Sequence, residues 1–154
     1  MTIFFYILYS YQKGSIILSG WFVMKISSKG RYGITIMTYL AKHYKEDRYI
    51  SLKEISENEN ISFKYLEKLM ISLNKDNYLD VKKGNNGGYR LKSDPKNYKI
   101  GDILRKLEGL GLTECDEKNC EKKDGCSTYP IYKELNNELI KMMDNKTLDN
   151  YIEV

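Results

Sequence analysis

From Lys29 to Lys45 the apolar positions Gly33, Ile36, Met37, Leu40, Ala41 and Tyr44 recur three or four residues apart, the spacing that gathers side chains on one face of a helix. Ser51 to Glu54 then read S-x-x-E, the form in which the Ser side chain accepts an orphan amide and the Glu reaches back to the Ser amide. A short second helix follows, with Leu52 and Ile55 turned inward. The polar run SENEN interrupts the pattern at residues 56–60, and Ser62 is placed to cap a third helix over Phe63 to Lys75. Leu66, Leu69, Met70 and Leu73 form its apolar face, with Lys64, Glu67, Lys68, Ser72 and Lys75 opposite. A short capped helix, a polar turn and an amphipathic helix with long outward side chains predict a helix-turn-helix.

After Asn77 the period changes from helical to alternating. YLDVKK alternates, GNNGG supplies residues that tolerate positive φ, and YRL resumes alternation, which predicts a strand, a turn and a returning strand. A hairpin directly behind a helix-turn-helix is a wing. Taken alone, its glycine-rich tip reads as an ordinary turn; with Lys82, Lys83 and Arg90 beside it, the low side-chain bulk of Asn85 to Gly88 also lets backbone approach a phosphate or a minor groove. IGDILRKLEGL, residues 100–110, predicts a fourth helix ended by glycines. Past Pro130, Tyr132, Leu135, Leu139 and Met142 or Met143 form a narrow apolar seam on a last helix. That seam suits a second copy of the chain or the chain's own core equally well. The predicted fold class is mostly α with a small β-hairpin wing: a winged helix-turn-helix over residues 24–98, then a linker helix, a cysteine loop and a long C-terminal dimerisation helix over residues 99–154.

Composition sharpens this picture at three points. The charge of +4 is uneven: residues 25–92 hold 14 Lys/Arg against 8 Asp/Glu, whereas residues 93–154 hold 10 against 13. The basic part coincides with the predicted winged helix and suits a polyanion such as nucleic acid. Residues 1–23 differ from the rest. Their apolar runs are broken by SYQKGS, well short of the ~20 residues a spanning helix needs, and they lack a basic start and a cleavage site. They are expected to be a non-native extension ahead of a true start at Met24, and no membrane association is expected. An odd count of three cysteines argues against a closed disulfide framework and for the cytoplasm. No nucleophile and base are paired, and GNNGG lacks the strand-to-helix context and the Lys-Ser/Thr of a P-loop, so an enzyme is not expected.

The segments MKISSKGRYG, ISFKYLEKLM, KKGNNGGYRL and IGDILRKLEG, followed by three clustered cysteines, together resemble the bacterial IscR/NsrR/CymR type of winged helix-turn-helix transcription regulators. The resemblance runs from Met24 to the C-terminus. It implies a homodimer joined by the C-terminal helix, bound to palindromic double-stranded DNA. The third helix would be the recognition helix, with Lys64, Glu67 and Lys68 at base edges; Lys suits guanine O6/N7 and Glu suits cytosine N4. The resemblance places Lys29, Arg31 and Tyr32 at phosphates and Lys83 before the wing tip, where the family often has Arg. Ser62, Tyr65, Asn85 and Asn86 complete the expected DNA-binding set.

Cys115, Cys120 and Cys126 are separated by five and six residues in a charged segment, a spacing with neither the CxxC knuckles of zinc sites nor a CxxC redox motif. Cluster-binding members of the family carry three similarly spaced cysteines here, which implies that these three are ligands of an iron–sulfur cluster, 2Fe–2S being favoured over 4Fe–4S. One departure leaves the fourth ligand open among Glu114, Asp116, Asp124, the partner subunit or a small molecule: where 2Fe–2S members place a His, this chain has Tyr129, and its one His, His43, lies at the end of the first helix. The expected function is a DNA-binding regulator sensing cluster status, redox state or nitric oxide. The competing readings are a cluster-free repressor answering to thiol oxidation or a protein partner, and a small iron–sulfur electron carrier.

Overall fold

The computed structural model describes residues 26–75, 77–84, 86–108 and 124–152. Five α-helices and one hairpin occur among them: α1 (Ser28–Lys42), α2 (Leu52–Glu59), α3 (Phe63–Asn74), β1 (Leu79–Lys82), β2 (Gly88–Leu91), α4 (Ile100–Glu108) and α5 (Tyr129–Asp144), with short 3-10 turns at Tyr44–Glu46, Pro95–Asn97 and Leu148–Tyr151. Mostly helical with a two-stranded antiparallel wing, this is the expected fold class.

The helical periods are cashed out as one core. Ile36, Met37 and Leu40 of α1, Ile55 of α2, Leu66, Met70 and Leu73 of α3 and Ile103 of α4 are each 0–1% exposed. Leu79 and Leu91, paired across the hairpin, close the core at the wing. Leu148 is fully buried in the same cluster. It is drawn there by backbone pairing between the two ends of the C-terminal half, with Leu148 N donating to Tyr98 O at 3.0 Å and Ile100 N to Lys146 O at 2.8 Å. Burial of one such leucine contributes roughly 1.5–3 kcal/mol.

Local details depart from the expected ones. The α1 helix stops at Lys42 rather than Lys45, because the chain tightens into the 3-10 turn and then passes through left-handed Asp47, φ 48°; Tyr44 keeps the helical spacing but is exposed. Ser51 does cap α2, accepting from Glu54 N at 3.1 Å. The reciprocal half of the capping box is missing, since the Glu54 carboxylate is taken by both Arg48 terminal nitrogens at 2.8 Å and by the Tyr39 hydroxyl at 3.3 Å. Ser62 occupies the N-cap of α3 but its side chain makes no cap hydrogen bond. The α4 helix runs to Glu108; the glycines expected to end it lie outside the described residues. Among the described residues no helix is long and apolar enough to cross a membrane.

Candidate nucleic-acid interface

The outer face of α3 carries Lys64, Glu67 and Lys68, all exposed, because the helix spends its other face on Leu66, Leu69, Met70 and Leu73. Tyr65 is half-buried and meets Tyr32 of α1 edge to face, ring centroids 5.8 Å apart. That contact sets the first turn of α1 beside the first turn of α3. Lys29 and Arg31 are exposed there, with the Arg31 guanidinium 4.9 Å from the centre of the Tyr32 ring. Residues distant in sequence are thus gathered on one basic surface, with Tyr32 and Tyr65 as the brace behind it.

The wing is fastened to the body by Ile50, whose N–H and C=O exchange hydrogen bonds with Tyr89 at 2.9 and 2.8 Å. Gly88 permits this approach, since a Cβ there would lie 2.3 Å from Ile50 O. At the tip Gly84 adopts φ 109°, the left-handed region that favours glycine, and Lys83 and Asn86 are exposed. Asn85 lies outside the described residues. Arg90, expected beside the phosphate path, is committed elsewhere: it pairs with Asp80 at 3.0 Å and Asp47 at 2.5 Å, and lies 4.6 Å over the Tyr49 ring. The Tyr49 hydroxyl donates to Asp80 at 2.8 Å, and this bond with that from Arg90 holds the Asp80 carboxyl below its ordinary pKa.

Of the three thiols, Cys126 is described and Cys115 and Cys120 lie outside the described residues, as do Glu114 and Asp116. Cys126 stands just before α5, half-exposed. The Thr128 hydroxyl, 3.4 Å from its sulfur, and the amides of Thr128 and Tyr129 lower its pKa and so favour the thiolate, the form that binds metals and attacks disulfides. Asp124 is exposed nearby in sequence, and Tyr129 opens α5. His43 is bound into the end of α1, its Nδ1 2.6 Å from Glu46 and its ring 4.7 Å from that of Tyr39. Among the described residues no three His, Cys, Asp or Glu gather to hold a metal ion.

One contact beside this surface has no local sequence signal. Glu108, at the end of α4 and just ahead of the thiol-bearing segment, reaches the start of α1. Its carboxylate accepts from the Ser27 hydroxyl, from Ser27 N at 3.2 Å and from Gly30 N at 2.6 Å. Burial acts to raise its pKa, yet these bonds carry it below the ordinary value. The first turn of α1, which presents Lys29 and Arg31, is therefore tied to the residue that precedes the thiols. Only the meeting of an acid at the end of α4 with the first amides of α1, which Ser27 already caps, would have pointed to it, and that requires knowing that the helices meet.

The α5 helix turns Asn136 and Met143 inward and leaves Ile131, Tyr132, Leu135 and Met142 exposed. It is braced on α4 by Arg105, which binds Asp144 at 2.6 Å and Asp102 at 2.5 Å.

Comparison with known proteins agrees with this geometry. The family model for Rrf2, an iron-dependent transcriptional regulator, matches residues 26–153. The HTH-type transcriptional regulator IscR of Vibrio campbellii is 34% identical over 127 residues, 81% of this chain and 75% of that protein. Among solved structures, CymR, the global cysteine regulator of B. subtilis, superposes with a TM-score of 0.71 at 34% identity, covering 84% of this chain and 97% of that one. T. potens IscR gives 0.71 at 33% identity, covering 87% and 90%. With a family match across nearly the whole described region and a winged helix to carry it, the chain belongs to the Rrf2 family and is a DNA-binding transcriptional regulator.

Proposed function

We propose that this regulator binds a palindromic operator as a homodimer and that its DNA affinity answers to an iron–sulfur cluster held by Cys115, Cys120 and Cys126. The observation that carries the sensing half is the donor set itself: three cysteines spaced along one segment, with Cys126 half-exposed at the start of α5, suit such a cluster. Bound there, 2Fe–2S being favoured over 4Fe–4S, a cluster would supply a link among the sulfurs that oxidation, iron shortage or nitric oxide removes.

The chain's own residues provide the path from thiols to DNA. The thiol-bearing segment lies between Glu108 and α5; Glu108 holds the start of α1, and α1 is braced on α3 through Tyr32 and Tyr65. Lys64, Glu67 and Lys68 face base edges; Lys29, Arg31, Tyr32, Ser62, Lys83, Asn85 and Asn86 meet the backbone or groove walls, with Tyr65 supporting them. The uncovered Tyr132, Leu135 and Met142 form the seam for the second subunit. A difference in DNA affinity between two states requires each state to hold these parts differently. The protein is proposed to act in the cytoplasm.

A second reading, direct thiol oxidation without a cluster, is favoured by Tyr129 standing where 2Fe–2S members place His and by the likeness to the cysteine regulator CymR. Anaerobic purification of wild type and Cys120→Ser, with visible spectra and operator titrations before and after iron chelation, separates the two. Cluster sensing predicts wild-type absorbance that Cys120→Ser loses, and a shift in operator affinity on chelation. A colourless protein with three free thiols after reconstitution with iron and sulfide selects the second reading.

A further inference from the structure

The base-facing side of α3 is not wholly polar. Ile71 is 65% exposed, the most exposed large apolar side chain among the described residues, and Phe63 is 48% exposed. Single exposed apolar residues are ordinary, but these two are in register. Phe63, Glu67 and Ile71 follow at i, i+4 and i+8, forming one ridge along the helix, with Lys64, Lys68 and Ser72 on the row beside it. The ridge spans about 12 Å from Phe63 to Ile71 at 1.5 Å per residue, roughly three to four base-pair steps of 3.4 Å. An apolar, acidic, apolar ridge flanked by lysines matches a duplex groove better than a protein surface, because the lysine row finds phosphates on the groove wall. On the floor of the major groove the one apolar group a base presents is the thymine C5 methyl.

We propose that Phe63 and Ile71 read thymine methyl groups on either side of the base pair faced by Glu67, so that part of this regulator's sequence preference is hydrophobic. The inference rests on the reading that α3 lies in the major groove. Neither Ser62 nor Tyr65 supplies this contact: the one is a short hydroxyl at the N-cap, and the other is turned against Tyr32.

The test uses the full chain and duplexes that it selects from a random pool. In the best duplex each thymine is replaced in turn by deoxyuridine, which keeps every hydrogen-bonding group and deletes the methyl. The expected result is a loss of about 3- to 10-fold in affinity, the scale of one buried methyl, at two positions per half-site three to four pairs apart. Phe63→Ala should abolish the effect at one position and Ile71→Ser at the other, with unchanged thermal melting, since both side chains are exposed. Uniform tolerance of deoxyuridine by the wild type would overturn the proposal. If Lys64→Ala and Glu67→Ala still relax the selected sequence, the groove reading stands and only methyl recognition fails. If they leave the selected sequence unaltered, the groove reading itself fails. An Ile71→Ser protein that changes its mass in solution while retaining the wild-type deoxyuridine profile would assign this face to protein contact instead.

Discussion

At the scale of single residues, the thiol of Cys126 shows how a side chain acquires chemistry from its place. Two amides at the start of α5 and the Thr128 hydroxyl favour its thiolate. A depressed thiol pKa keeps the reactive form present at lower pH than an ordinary cysteine's, about 8.5. Replacement of Thr128 by Ala removes the hydroxyl, the largest of these causes, so the alkylation-versus-pH curve of the Cys126 peptide, read by mass spectrometry on metal-free protein, should move to higher pH; an unmoved curve would leave the hydroxyl without influence. The residue types at the expected DNA surface were legible in the sequence because exposure on α3 follows directly from the helical period. What each charged group does with its neighbours was not. Arg90 looked like a phosphate contact from its position beside the wing tip, yet Asp80, opposite in the strand register, and Asp47, forty-three residues earlier, had already engaged it. Charge complementarity across folded distance leaves no trace in local spacing.

At the scale of elements, periodicity identified every α-helix and both strands among the described residues, but not the short 3-10 turns, which carry no apolar period. Ends were less legible: α1 stops where a left-handed Asp47 turns the chain, a backbone choice the apolar pattern does not encode. The last helix is instructive for a different reason. The sequence offered Met142 and Met143 as alternatives and left the destination of the seam open; folding puts Met143 at 9% exposure against the body and leaves Met142 at 58%, in line with Leu135 at 49%. Replacing Leu135 with Glu places a charge in that seam while sparing the inward face. On the homodimer reading, sedimentation should show a shift from dimer to monomer at micromolar concentration, with thermal melting changed little, because exposed positions usually alter stability by less than ~0.5 kcal/mol. Retention of the wild-type mass would put the dimer contact elsewhere.

At the scale of the whole molecule, the acid side of the stability curve should report the ion-pair frame beneath the winged helix. Arg48, by hydrogen bonding, holds the Glu54 carboxyl below its ordinary pKa and also lowers Glu46. A carboxyl depressed in the fold adds stability that is present above its unfolded pKa, about 4.3, and is lost as pH falls through the folded value. Glu54→Gln should therefore lower the melting temperature at neutral pH and flatten its fall between about pH 5 and 3; a mutant curve parallel to the wild type would deny Glu54 that role. The contacts between α4 and the start of α1, and between Lys146–Leu148 and Tyr98–Ile100, share one property: they fasten parts of the C-terminal half, which carries the thiols, to the rest of the fold. Cys115, Cys120 and Cys126 lie within twelve residues of sequence. Sulfurs carried on so short a span meet one another at effective concentrations on the order of millimolar, far above those of separate molecules in a cell. Any chemistry that needs two or three of them at once will accordingly proceed within one chain, and its onset will not depend on how much of the protein is present.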